Sequence, residues 1–199
     1  EDCLFVGTTQ LWSPGADLHR TPFSGRNFEY YSEDSVLSYL MSAAQTCAMQ
    51  AKGVNAAIKH FVGNDQETNR TGLCTFATEQ GFRQNSLKGF EGAFTKGGAL
   101  GTMMSTNRIG LETMYQNAAT CTGVLRDEWG FKGVTITDSV KGDKSVYAVA
   151  CLVAGTDTFN ADTGRSTELL KYLVKNKDGY VLQELRRANK NFYYAMAQS

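Results

Sequence analysis

Short apolar runs alternate with helical stretches along most of the 199-residue chain, and run after run ends in polar residues. This alternation constrains the fold more than any other feature. The clearest run is Gly133-Val134-Thr135-Ile136-Thr137-Asp138-Ser139. Val134, Thr135 and Ile136 are β-branched and follow a glycine, so the stretch reads as a buried strand with Asp138 at its C-terminal end. Taken alone, Asp138 reads as a cap for the next helix or turn. Three earlier segments of the same form change that reading: Leu11–Arg20, Ala56–Phe61 and Leu100–Asn107. The β-α unit recurs about five times, which means a parallel sheet with helical crossovers. A doubly wound sheet and a (β/α) barrel both fit. Polar residues after several different strands point to the barrel, whose strand ends converge on one mouth. An open sheet concentrates function at one switch point.

The expected strands are Leu11 to Leu18, interrupted by Pro14 and Gly15, then Val54 to His60, Ala99 to Ser105, the Asp138 run, and Gly155 to Ala161. Ser32 is placed to cap a helix whose first turn holds Glu33 and Asp34. In that helix Val36, Leu40, Ala43 and Cys47 recur beside Leu37, Met41, Ala44 and Ala48, giving a broad apolar face that ends at Gly53. Further helices are expected over Thr78–Lys96, Ala119–Trp129, Lys144–Val153, Ser166–Asn176 and Asp178–Ala197.

Lys plus Arg and Asp plus Glu number 20 each, so net charge gives no argument for nucleic acid or an anionic membrane. No apolar run in these residues is long enough to span a bilayer, and no stretch of them reads as a signal peptide, although the start at Glu1 rather than Met leaves room for an upstream segment. Neither GxGxxG nor GxxxxGK[ST] occurs, so nucleotide binding has no support and no cofactor is expected. Five cysteines without a CxxC pair, and only His19 and His60, give no zinc or histidine-rich metal site. Buried free thiols are the expectation, which leans towards a reducing, cytoplasmic setting.

Carbohydrate chemistry needs two carboxyl groups and polar side chains that hold sugar hydroxyls. Asp138 is the candidate nucleophile. Lys59 and His60 would point to opposite faces of a regular strand, although a strand terminus can bring both to one ligand. Read structurally, Lys59 is half of a buried ion pair and His60 a core histidine satisfied by backbone. Arg26 and Arg70 could clamp hydroxyls, or staple loops through Glu29 and Glu67. Trp12 and Trp129 could stack on a sugar, but a buried indole is commoner. Met103 and Met104 read first as core.

Several stretches in order resemble glycoside hydrolase family 3, the β-glucosidase family. Ser13 to Asp34, with Ser24-Gly25-Arg26-Asn27-Phe28-Glu29-Tyr30-Tyr31-Ser32-Glu33-Asp34 at its end, resembles the family's long sugar-site loop. Lys59-His60-Phe61 followed by Asn64 and Gln66-Glu67-Thr68-Asn69-Arg70 resembles its lysine–histidine motif. Met103 with Ser105-Thr106-Asn107-Arg108-Ile109-Gly110 resembles the next strand end, and Arg126-Asp127-Glu128-Trp129-Gly130-Phe131-Lys132-Gly133 resembles the approach to the nucleophile.

The resemblance implies a TIM-type (β/α) barrel lacking its opening strands, as a single partial domain over residues 1–199 without the family's second, sandwich domain. It implies a retaining β-glycosidase that acts on a terminal β-linked glucoside or oligosaccharide through a covalent intermediate on Asp138. Arg26, Lys59, His60, Arg70 and Met103 match the sugar-holding residues. Thr106 and Ser139 depart from the pattern where aromatics are usual. The acid/base glutamate belongs to the absent domain, so no Glu of this chain takes that role. The alternative is a non-catalytic carbohydrate-binding or interaction module derived from the same fold. An incomplete barrel is further expected to pair with a second copy or to be completed by another chain.

Overall fold

The structure is a computed structural model that describes residues 1–139, 147–160 and 165–199. Five parallel strands form the main sheet in the order β1-β2-β4-β7-β8. They are β1 (Gln10–Leu11), β2 (Asn55–Phe61), β4 (Gly101–Met104), β7 (Val134–Ser139) and β8 (Thr158–Asn160). A smaller sheet joins β3 (Cys74–Thr75), β5 (Arg108–Ile109) and β6 (Glu112–Thr113). The helices are α1 (Asp2–Phe5), α2 (Ser35–Gln50), α3 (Glu79–Gln84), α4 (Lys88–Thr95), α5 (Ala148–Ala154), α6 (Arg165–Lys175) and α7 (Gly179–Ala197). A π-type helix covers Ala119–Glu128. The strands come in sequence order across the sheet with helices between them, so the architecture is an incomplete (β/α) barrel.

Several boundaries differ from the sequence expectation for local reasons. Regular β1 stops at Leu11, where the Ser13 N–H turns back to the Leu11 carbonyl at 2.9 Å, and Pro14 beyond it has no N–H to give to the ladder. The chain still runs beside β2, with Lys59 N–H donating to the Pro14 carbonyl at 3.0 Å and Ala16 N–H to the Lys59 carbonyl at 2.7 Å. The long helix expected over Thr78–Lys96 is two helices. Asn85 departs from helical geometry, and its side-chain amide donates to the Gly81 carbonyl at 2.8 Å. Asp34, not Ser32, caps α2, accepting from the N–H groups of Val36 and Leu37 at 2.7 and 2.9 Å. The first residues of the helix expected from Lys144, and Ala161 at the end of the last strand, lie outside the described residues. Of the cysteines only Cys121 and Cys151 are buried; Cys47 is exposed, and none of the five forms a disulfide among the described residues.

The largest departure concerns α2. Its buried residues are Ser38, Ser42 and Thr46, whereas Val36, Leu37, Leu40 and Met41 face solvent. The cause is the neighbouring helix. The Ser42 hydroxyl donates to the Gly89 carbonyl at 2.7 Å, and a Cβ placed on Gly92 would lie 2.1 Å from the Tyr39 carbonyl oxygen. Small hydroxyl residues against glycines let the two backbones approach, and that packing decides which side turns inward.

Behind the sheet, Phe61 at the end of β2 sits in an aromatic cluster. Its ring centroid lies 5.4 Å from Phe90, 5.9 Å from Phe94 and 6.1 Å from Trp129. Near the start of β7, the buried Asp157 carboxylate accepts from Arg126 at 2.7 Å, Arg187 at 2.6 Å and the Thr135 N–H at 2.9 Å. That ion cluster ties β7, β8, the π-type helix and α7 into one body.

Candidate active site

The C-terminal end of β2 is set by a buried carboxylate. Asp17, 2% exposed, accepts backbone N–H bonds from His60 at 2.8 Å, Gly63 at 3.1 Å and Asn64 at 2.9 Å. Burial pushes this carboxyl up to about 7, with Asp65 adding to the rise and the three N–H donors opposing it. The Lys59–His60 and Phe61–Val62 peptide bonds are cis. Phe61 is held in the aromatic cluster and His60 is 2% exposed beside Asp17.

From this strand end a continuous set of charged side chains reaches β7. Lys59 Nζ lies 3.0 Å from Glu29. Glu29 also holds the Arg26 guanidinium. Arg26 Nη1 donates to Glu67 at 3.3 Å, and Arg70 bridges Glu67 at 3.4 Å to Asp138 at 3.2 Å. Burial raises the Glu29 carboxyl, but the hydrogen bonds from Arg26 and Lys59 outweigh it and hold the group below the ordinary carboxylate range. The Asp138 side chain is 13% exposed, and its Oδ1 accepts the Ser139 N–H at 2.7 Å.

His60 joins the same set through neutral groups. Its Nδ1 lies 3.2 Å from the Tyr30 hydroxyl, which Asn64 Nδ2 approaches at 3.2 Å, and Asn64 Nδ2 also donates to Glu67 at 2.9 Å. Burial pushes the imidazole down to about 2, and Arg26, Lys59 and Arg70 add to the shift. The ring is therefore neutral.

The structure thus brings together Arg26, Lys59, His60, Arg70 and Asp138, which lie on separate loops and strand ends. Loop stapling through Glu29 and Glu67 is present too, so the charged residues are clustered and mutually paired at once. Met103 is buried. Met104 packs in the core between sheet and helices, so strand alternation puts Met103 on the opposite, inner face. Trp129 is packed against Phe61 and Phe94, and Trp12 is exposed; neither belongs to the cluster. Asp17, Tyr30 and Asn64 were not among the expected site residues. Only the local density of Asn, Glu and aromatic residues in those loops could have signalled them. A separate cleft of about 620 Å³, lined by Phe76, Phe82, Ile109 and Val124 among others, contains none of the clustered residues. Among the described residues no group of His, Cys, Asp and Glu is arranged to hold a metal ion.

Residues 1–188 match the N-terminal domain of glycosyl hydrolase family 3. The chain belongs to that family. This family 3 chain is 41% identical over 128 residues to a β-glucosidase of Ruminococcus albus, covering 64% of the chain and 14% of that enzyme. It is 34% identical over 178 residues to β-glucosidase B of Emericella nidulans, covering 89% of the chain and 21% of the enzyme. Its fold matches β-glucosidase 3B of Thermotoga neapolitana, solved in complex with glucose, at a TM-score of 0.89 and 34% identity. That match covers 99% of the family 3 chain and 28% of the Thermotoga chain. The chain therefore spans a quarter or less of the length of the β-glucosidases it aligns with in sequence.

Proposed function

We propose that this family 3 chain carries the nucleophile and the sugar-holding side chains of a retaining β-glycosidase that removes terminal β-D-glucosyl residues. One observation carries the reading. Asp138 sits at the C-terminal end of β7, joined through Arg70, Glu67, Arg26 and Glu29 to Lys59 at the end of β2. Barrel enzymes place their chemistry at strand ends of this kind. The likeness to enzymes named β-glucosidases supports the substrate class.

In the first step an Asp138 oxygen forms a bond to the anomeric carbon as the bond to the leaving oxygen breaks. The leaving oxygen takes a proton from a general acid, a role we assign to no Glu of this chain. Water, giving a proton back to that acid group, then bonds to the anomeric carbon as the bond to Asp138 breaks and the sugar is released. Arg26, Lys59, His60 and Arg70 hold sugar hydroxyls, each charged hydrogen bond being worth about 1.5–3 kcal/mol, and Met103 forms a wall of the site.

Asp138→Asn in the complete polypeptide tests this. The substitution hardly changes side-chain volume, so the fold should persist while kcat falls by several orders of magnitude. Near-normal turnover by the variant would overturn the assignment. Saturable sugar binding without turnover by the unaltered protein would favour a non-catalytic carbohydrate-binding module instead.

A further inference from the structure

We propose that Tyr30 is a positioning residue that holds the His60 ring as its Nε2–H tautomer, through a relay running Glu67–Asn64–Tyr30–His60. The relay follows from donor and acceptor counting. Glu67 Oε1 lies 2.9 Å from the Asn64 side chain and is acceptor-only when ionised, so the Asn64 atom facing it is the NH₂ group. The same nitrogen lies 3.2 Å from the Tyr30 oxygen, and its second hydrogen donates there. The hydroxyl proton of Tyr30 then needs an acceptor, and His60 Nδ1 stands 3.2 Å away. Burial, first, and the Asp17 charge hold the phenol well above its ordinary pKa, so the proton stays on Tyr30 and is there to be donated.

The competing tautomer would place a proton on Nδ1 facing the Tyr30 oxygen, which would leave the phenol proton without an acceptor among the described residues, and Asp17 offers no alternative. Asp17 Oδ2 lies 3.8 Å from Nδ1, beyond hydrogen-bond range, and already accepts the His60 backbone N–H. A neutral ring with Nδ1 as acceptor carries its one proton on Nε2, which has no partner among the described residues. On the glycosidase reading, that Nε2–H is the group presented to a sugar hydroxyl oxygen. The tautomer assignment stands without that reading; only what the proton is offered to rests on it.

The test is ¹⁵N NMR of the complete polypeptide labelled at histidine ring nitrogens, with His60 assigned by its loss in His60→Gln. The unaltered protein should show His60 with an acceptor-type Nδ1 and a protonated Nε2. Tyr30→Phe removes the only donor to Nδ1 among the described residues and should shift the ring towards the Nδ1–H form. With it, kcat/KM on a nitrophenyl glucoside should fall by about tenfold, the worth of one hydrogen bond. A protonated Nδ1 in the unaltered protein overturns the proposal without any variant. So does a Tyr30→Phe ring spectrum identical to the wild type, even if activity falls, because a purely structural role predicts that pattern. Absence of turnover by the unaltered protein, with the expected ring spectrum, would remove the glycosidase reading and leave the relay standing.

Discussion

Asp17 and His60 share one buried environment at the end of β2, and their proton affinities move in opposite directions. The Asp17 carboxyl rises from 3.8 to about 7 and the His60 ring falls from 6.5 to about 2. Between pH 3.8 and 7 the folded chain keeps an Asp17 proton that the unfolded chain has lost, so this contribution to stability declines as pH rises. Between pH 2 and 6.5 the unfolded chain binds a His60 proton that the folded chain refuses, so this contribution grows as pH rises. In the shared window the two slopes oppose each other. Asp17→Asn removes the first and leaves the second. Its stability, by urea unfolding from pH 4 to 6, should therefore climb with pH more steeply than the wild type, by up to about 1.4 kcal/mol per pH unit. Parallel pH profiles would contradict this. At this scale the sequence displayed some groups and hid others. Asp138, Lys59 and His60 follow apolar runs and could be picked out directly. Asp17, Tyr30 and Asn64 could not, because their roles come from contacts between segments 30 or more residues apart.

The strands and crossover helices were legible as elements, and so were the inner faces of α4 and α7, where Phe90, Phe94, Val181, Ala188 and Ala195 are buried; the facing of α2 was not. Periodicity marks Val36, Leu40, Leu37 and Met41 as one side of α2, and that side exists, but it is exposed. What the pattern lacked was the partner. Gly89 and Gly92 in α4 admit Ser38, Ser42 and Tyr39 at close range, and sequence spacing within α2 carries no trace of that fit. Gly92→Ala should separate the helices, because its Cβ would meet the Tyr39 carbonyl oxygen at 2.1 Å and backbone cannot swing aside. Overpacking of this kind costs about 1–3 kcal/mol, only partly offset by alanine's helix propensity of about 1 kcal/mol. Gly179→Ala, where nothing lies within 4 Å, should be neutral or stabilising. Equal unfolding midpoints for the two variants would show that the α2–α4 contact is looser than described. The split of the long helix at Asn85 leaves one mark in the apolar spacing, a step of five from Phe82 to Leu87 before Phe90 and Phe94 follow at three and four.

Taken whole, the described residues build five strands of a barrel that needs eight, with the candidate chemistry at one end and the Asp157 ion cluster near the strand starts. The apolar side of α2 contains no charged residue along its 16 positions and is left facing water. The convergence of loops from β1, β2 and β7 on Asp138 is what only a curved parallel sheet provides. That convergence was legible because each strand end carried its own polar signature; the paired carboxylates Glu29 and Glu67 gained meaning only when the loops were folded together. The most direct measurement treats the complete polypeptide with a 2-deoxy-2-fluoro-β-glucoside bearing a good leaving group, then maps the modified peptide by mass spectrometry. One fluoroglucosyl group on Asp138, in the peptide containing Val134–Ser139, is the predicted result. A label on Glu67 or any other carboxylate, or no label on protein that turns over glucosides, would contradict Asp138 as the nucleophile.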